Sequence, residues 1–143
     1  MEYQVTDSVP YLLNRVGVEL GERFSLRLRD VDVTLPMYRA LAVLRQTGTL
    51  TLDALSALVS VELSTLSRLV SSLVKRGLVS RVRPEDNARI VRIDLTDAGR
   101  DLVDQLIPVA LHFEETAVAG LSPAQIQDLK SLLRQIHSHV TSL

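Results

Sequence analysis

The stretch Leu52-Asp53-Ala54-Leu55-Ser56-Ala57-Leu58-Val59-Ser60-Val61-Glu62-Leu63-Ser64-Thr65-Leu66-Ser67-Arg68-Leu69-Val70-Ser71-Ser72-Leu73-Val74-Lys75-Arg76-Gly77 decides how this chain folds. Leu52, Leu55 and Leu58 recur at helical spacing, and Thr51 before them offers a hydroxyl that can accept an orphan N–H of the first turn. This first helix is short, because Val59-Ser60-Val61 breaks its pattern. A second pattern then sets Leu66, Leu69, Val70, Leu73 and Val74 on one side and closes at Gly77, a C-terminal helix glycine. This spacing predicts a helix of about 15 residues, spanning on the order of 20 Å.

The polar side of the second helix carries the functional signal. Ser64, Arg68, Ser71 and Lys75 fall at i, i+4, i+7 and i+11 and form one stripe, with Thr65, Ser67, Ser72 and Arg76 beside it. Hydroxyls and guanidinium groups are the donors that phosphate oxygens and base edges accept from, and short side chains let a helix approach a groove closely. Taken alone, such a stripe also suits a solvated helix face.

The next segment of the chain tips the balance. Leu78-Val79-Ser80-Arg81-Val82-Arg83 and Ile90-Val91-Arg92-Ile93-Asp94-Leu95 both show period-two patterning, with the turn-rich loop Pro84-Glu85-Asp86-Asn87-Ala88-Arg89 between them. That is a β-hairpin pattern. Arg83, Arg89 and Arg92 fall on or near its tip, where a basic hairpin after a helix-turn-helix can reach phosphates or the narrow minor groove. On its own such a charged hairpin could instead guard a sheet edge against aggregation. The combination predicts a mainly α fold with a small β-hairpin wing, a winged helix-turn-helix suited to hold one helix in the major groove of DNA.

These residues also resemble the multiple antibiotic resistance regulators, the MarR family of bacterial transcription factors. That family's wing carries Asp-x-Arg-x-x-x-Val-x-Leu-Thr, with a helix containing an early glycine after it. Here Arg89, Ile93, Leu95, Thr96 and Gly99 keep the register, and Ser64-Thr65-Leu66-Ser67-Arg68-Leu69-Val70 looks like the family's recognition helix. Asn87 stands where the family has Asp, with Asp86 one place earlier, so the Asp–Arg contact that shapes the wing is expected to differ. The resemblance implies a sequence-specific, double-stranded DNA-binding repressor that responds to a ligand, acting as a homodimer on a pseudo-palindromic operator. A winged-helix protein-interaction module and a low-specificity architectural DNA-binding protein are the competing readings.

Composition narrows the field. At 143 residues the chain is one domain's worth, with a winged helix-turn-helix lobe at about 34–96 and flanking helices at about 8–30 and 97–143. Cysteine is absent, which excludes disulfides, thiolate zinc sites and the thiol-based peroxide sensing found in some relatives. The start Met1-Glu2-Tyr3-Gln4 lacks a secretory pattern, and no apolar run approaches the roughly 20 residues of a membrane span, so a cytoplasmic, membrane-free protein is expected. A net charge of −1 hides an asymmetry: from Glu62 to Arg92 seven cations face three anions, a local +4 that leaves −5 on the rest. The local field governs phosphate affinity.

The flanks read as a dimerisation module. Tyr11 to Arg29 is a candidate first helix with Leu13, Val16, Leu20 and Phe24 along one side, and Thr96 can cap a helix through Leu102, Leu106, Val109 and Phe113 that Pro108 should kink. The last helix opens with Ser122-Pro123-Ala124-Gln125, a capping box with proline in the first turn. Ile126, Leu129, Leu133, Ile136, Val140 and Leu143 recur after it at spacings of three and four, a seam that wants a partner helix, whether internal or from a second copy. In the family, the first and last two helices of each protomer interlock to form the dimer.

The resemblance further implies a small aromatic or phenolic effector, bound where the dimer helices meet the DNA-binding lobe. Tyr11, Arg15, Met37 and Tyr38 are the residues placed to line such a pocket, on the first helix and on a helix capped by Thr34 with Pro36 in its first turn. Core packing for Met37 and Tyr38 and simple exposure for Arg15 are the alternative. Enzymatic chemistry has no residues to stand on. His137 and His139 point to different helix faces, His112 is distant, and no nucleophile elbow or phosphate-binding glycine loop occurs. No metal or cofactor is expected.

Overall fold

A computed structural model describes every residue of the chain except Ala88, which the sequence places in the hairpin loop and which lies outside the described residues. The elements run α1 (Val9–Leu28), α2 (Leu35–Thr47), β1 (Leu50–Thr51), α3 (Leu52–Val59), α4 (Leu63–Lys75), β2 (Val79–Val82), β3 (Arg92–Leu95), α5 (Asp97–Ala117) and α6 (Pro123–Val140), with single 3₁₀ turns before and after α1. Two compact units divide at Ala110, so α5 begins in the first and ends in the second.

In the first unit, each helix end sits at a residue that can close it. Ser8, Thr34 and Thr51 each accept a backbone N–H from three residues on, and Pro10 and Pro36 sit in first turns, where no N–H is missed. The first helix thus starts at Val9, two residues ahead of the sequence expectation, because Ser8 supplies the cap. Between α3 and α4 the chain reverses at Ser60, which adopts the left-handed conformation (φ 55°) while its N–H bonds to the Ser56 carbonyl. The Ser56 hydroxyl donates to the Val61 carbonyl at 2.5 Å and fastens the turn. At the far end of α4, Gly77 takes φ 71°, and the Leu78 N–H returns to the Leu73 carbonyl at 3.0 Å.

The core gathers Leu41 and Leu44 of α2, Leu55 and Val59 of α3, Leu66, Val70 and Leu73 of α4, Val79 of β2, Ile93 of β3 and Val103 of α5. Each fully buried leucine or isoleucine here contributes about 1.5–3 kcal/mol by leaving water. Leu58 departs from expectation. Helical spacing puts it on the apolar face of α3, yet it is 56% exposed, and Val59 takes the inward position instead. With Leu55 as anchor, a spacing of four rather than three defines the buried row.

The hairpin is real but shorter than its pattern, and β1 joins it to make an antiparallel sheet in the order β1-β3-β2. Val79 pairs with Leu95, Arg81 with Ile93 and Val82 with Arg92, while Leu50 and Thr51 pair with Ile93 and Arg92. A two-residue strand is too short to announce itself by period two. Beyond β3, Thr96 caps α5: its hydroxyl accepts from the Gly99 N–H (3.1 Å) and donates to the Gly77 carbonyl (2.6 Å), while its own N–H reaches the Leu78 carbonyl (3.1 Å). Gly99 is required there because an added Cβ would lie 2.1 Å from the Leu78 carbonyl oxygen. Helix α5 runs on through Pro108 without interruption.

In the second unit, Gly120 (φ 84°) lies in the turn between α5 and α6, and the expected capping box is complete. The Ser122 hydroxyl accepts from the Gln125 N–H at 3.1 Å, and the Gln125 carboxamide accepts from the Ser122 N–H at 2.9 Å. Lys130 and Glu114 form an exposed ion pair at 3.1 Å.

Candidate nucleic-acid interface

Helix α4 buries Leu66, Val70 and Leu73, and this orientation leaves Ser64, Thr65, Arg68, Ser72 and Lys75 exposed at its accessible surface. Arg68 and Lys75 have no hydrogen-bond or ion-pair partner among the described residues. Their charges are available to an incoming anion. Ser64 is oriented from below, since its hydroxyl donates to Glu62 at 2.8 Å.

Ser67 and Ser71 behave differently. The Ser71 hydroxyl donates to the Ser67 carbonyl (3.0 Å) while accepting from the Arg81 guanidinium (2.7 Å), which also reaches the Ser67 carbonyl at 3.4 Å. Arg81 lies two residues from buried Val79 in β2, and its side chain reaches back to α4. Of the four-residue stripe, three members face outward and the fourth ties the helix to the wing. The small hydroxyl of Ser71 followed by an arginine in the next strand is the sequence signal for that tie.

Arg76 also leaves the group in which the sequence placed it. Its guanidinium turns to the chain between α1 and α2, donating to the carbonyls of Asp32 (2.5 Å) and Val31 (3.2 Å) and standing 4.0 Å from the Met37 sulfur.

Besides Arg81, three exposed cations mark the wing. Arg92 lies in β3, Arg83 comes just after β2, and Arg89 lies in the loop. Asn87 organises that loop: its side-chain oxygen accepts from the Arg89 N–H at 3.1 Å, its N–H donates to the Pro84 carbonyl and its carbonyl accepts from Ile90. The side-chain oxygen common to Asn and Asp therefore performs the local turn role here without a charge. Among the described residues, Arg89 forms no ion pair.

The four residues expected at an effector pocket lie on two helices, Tyr11 and Arg15 on α1 and Met37 and Tyr38 on α2. Tyr38 lines a cavity of about 330 Å³ with Arg39, Ala42, Val43, Leu58, Val59 and Ser60, between α2 and α3. Its ring sits 4.8 Å from that of Phe24, and burial pushes its phenol above the ordinary value near 10. Met37 packs against the core, Tyr11 is half-buried and Arg15 is exposed. On α6, Ile126 and Ile136 are half-buried, while Leu129, Leu133 and Val140 stand 38%, 39% and 57% exposed within one chain. On α1, Val9, Leu12, Leu13 and Val16 are exposed as well. No group of three His, Cys, Asp or Glu among the described residues could hold a metal, and no single helix is long and apolar enough to cross a membrane.

A short helix, a turn reversed at Ser60, a helix presenting hydroxyls and cations, and a basic hairpin beside it define a winged helix-turn-helix, the architecture of DNA-binding regulators. The MarR family model matches residues 33–91. The HTH-type transcriptional repressor NicR of Pseudomonas putida is 27% identical over 134 residues, 94% of this chain and 85% of that protein. Among solved structures, a MarR family transcriptional regulator from Silicibacter pomeroyi is 27% identical with a TM-score of 0.88, covering 98% of this chain and 97% of that one. Bordetella bronchiseptica BpsR, whose DNA binding is regulated by 6-hydroxynicotinic acid, is 25% identical with a TM-score of 0.85, over 96% and 98% of the two chains. Residues 33–91 thus carry a MarR-type domain, and over nearly its whole length the chain is similar to DNA-binding transcriptional regulators of that family.

Proposed function

We propose that the protein is a homodimeric repressor that lays α4 in the major groove at each half of a pseudo-palindromic operator, with the wing reaching the adjacent backbone or minor groove. The observation that carries this reading is the outward face of α4, where Arg68 and Lys75 have no partner among the described residues and stand beside exposed hydroxyls, next to a hairpin bearing Arg83, Arg89 and Arg92. A guanidinium held by no internal acceptor is suited to bidentate pairing with a guanine edge. The phosphates would be met by Lys75 and the wing arginines.

Two recognition helices need two protomers. Support for the dimer comes from the exposed seam Leu129, Leu133 and Val140 with half-buried Ile126 and Ile136, and from the apolar residues left uncovered on α1. A monomer would expose these faces to water at about 25 cal/mol per Å². Ligand response rests on the likeness to BpsR, and the effector class that fits is a small aromatic or phenolic acid. Tyr11, Arg15, Met37 and Tyr38 are its proposed contacts, completed by the partner protomer.

Fluorescence anisotropy on duplexes selected from host genomic DNA by the purified protein, repeated over a salt series, tests the reading. Tight, salt-dependent binding to a discrete two-fold sequence is expected. Uniform affinity for all sequences would instead indicate an architectural protein, and no binding at low salt a protein-interaction module. Leu133→Asp combined with Ile136→Asp should abolish the dimer in analytical ultracentrifugation and DNA binding together.

A further inference from the structure

Helix α4 is held at its start by the turn at Ser60 and at its middle by Arg81 on Ser71. Its C-terminal end is held by Arg76. The two nitrogens of one guanidinium fork onto consecutive carbonyls, Val31 and Asp32, more than forty residues earlier in the chain. Those carbonyls belong to the joint that ends α1. There the chain passes through one 3₁₀ turn and then through Asp32 in the left-handed conformation (φ 53°), and the Val33 N–H returns to the Leu28 carbonyl. A left-handed aspartate redirects the backbone, and the arginine fixes the direction in which these carbonyls point. The bond geometry favours Arg over Lys, since two nitrogens of one rigid plane each reach a different carbonyl, an arrangement that a single ammonium on a flexible stem does not reproduce.

We infer that Arg76 is a positioning residue that sets the angle of the recognition helix against α1, and so sets the spacing between the two recognition helices of a dimer. The inference rests on the dimeric DNA-binding reading above, because α1 can fix a spacing only if it lies at the dimer interface. Arg76 is exposed and has the composition of a phosphate contact, but each of its two terminal nitrogens donates to a carbonyl of the joint between α1 and α2. Removing it should change how well the dimer measures DNA and leave the number of phosphates neutralised unchanged.

The test uses the full-length wild type, Arg76→Ala and Arg76→Lys on three duplexes carrying the half-sites selected by the wild type. One has the selected spacing, one is a base pair closer and one a base pair farther. Wild type should prefer its selected spacing by about tenfold or more, and Arg76→Ala should lose about tenfold on that spacing while discriminating little among the three. Arg76→Lys, which can satisfy one carbonyl, should fall between. The salt slope of all three proteins should agree, and amide hydrogen exchange at Asp32 and Val33 should quicken in the alanine variant. A salt slope shallower by about 1.8 in Arg76→Ala would make the residue a phosphate contact and overturn the inference. So would an unchanged spacing preference in both variants. If Arg76→Ala does not fold, Arg76→Lys decides by the same two readouts. Failure of the wild type to bind DNA or to dimerise would refute the underlying reading instead.

Discussion

Replacing Gly99 by alanine tests how the wing is locked to the fold. The new Cβ would stand 2.1 Å from the Leu78 carbonyl oxygen and 2.7 Å from Leu95 Cδ1, so α5 and the start of β2 must part by about 1 Å or more. Overpacking of this kind costs about 1–3 kcal/mol. Parting also strains the bonds from the Thr96 N–H to Leu78 and from the Thr96 hydroxyl to Gly77, worth about 1 kcal/mol each. Against this, alanine gains up to about 1 kcal/mol in helix propensity over glycine. Sterics win, and the net is a loss of about 2–4 kcal/mol, a large part of the roughly 5–15 kcal/mol that holds a domain together. Urea denaturation at one fixed protein concentration, with the slope against urea unchanged, should read it. A gain in stability of up to about 1 kcal/mol, the response of an ordinary helix position, would refute the proposed contact.

The same geometry predicts three further outcomes. Arg68→Ala should cost about 1–3 kcal/mol on the selected operator and barely change affinity for random DNA, whereas equal loss on both would make Arg68 a phosphate contact. Arg89→Ala should weaken both kinds of binding and make the slope of log K against log salt shallower by about 1.8 per dimer, at about 0.9 per contact. An unchanged slope would take the wing off the DNA. Burial raises the Tyr38 phenol above about 10, so it remains protonated in the folded protein at pH values where the unfolded chain has begun to ionise. Its contribution to stability is complete below that pH and is lost as pH rises through the elevated folded value. Thermal melts above about pH 10 should therefore decline more steeply for the wild type than for Tyr38→Phe, and parallel declines would show the phenol to be solvated.

The helix-turn-helix and the hairpin are legible because each rests on local chemistry: apolar spacing, hydroxyl caps at Thr51, Thr34 and Ser122, and a closing glycine, Gly77. Period and cap act within a few residues and survive any tertiary context that does not oppose them. The features that escape such a reading depend on contacts between distant segments. The strand Leu50–Thr51 exists only because β3 offers it a partner. Leu58 fits the helical period as well as Val59 does, and only the packing of α3 on its neighbours selects between them. Arg76 and Arg81 have the composition of a basic surface, but their guanidinium groups donate to carbonyls and a serine of the protein itself. Charge shows in a sequence, while the direction in which a long side chain points does not. Asn87 makes the reverse point, since its place in the family's Asp–Arg register suggests an altered contact and the amide oxygen still closes the turn.

The central claim, that two copies of α4 read two major grooves on one face of the duplex, is tested most directly by dimethyl sulfate footprinting of the wild-type protein on its selected operator. Guanine N7 protection is expected in two symmetric patches whose centres lie about 10 bp apart, with loss of protection at specific guanines in Arg68→Ala. A single patch, or protection spread evenly along the duplex, would contradict it.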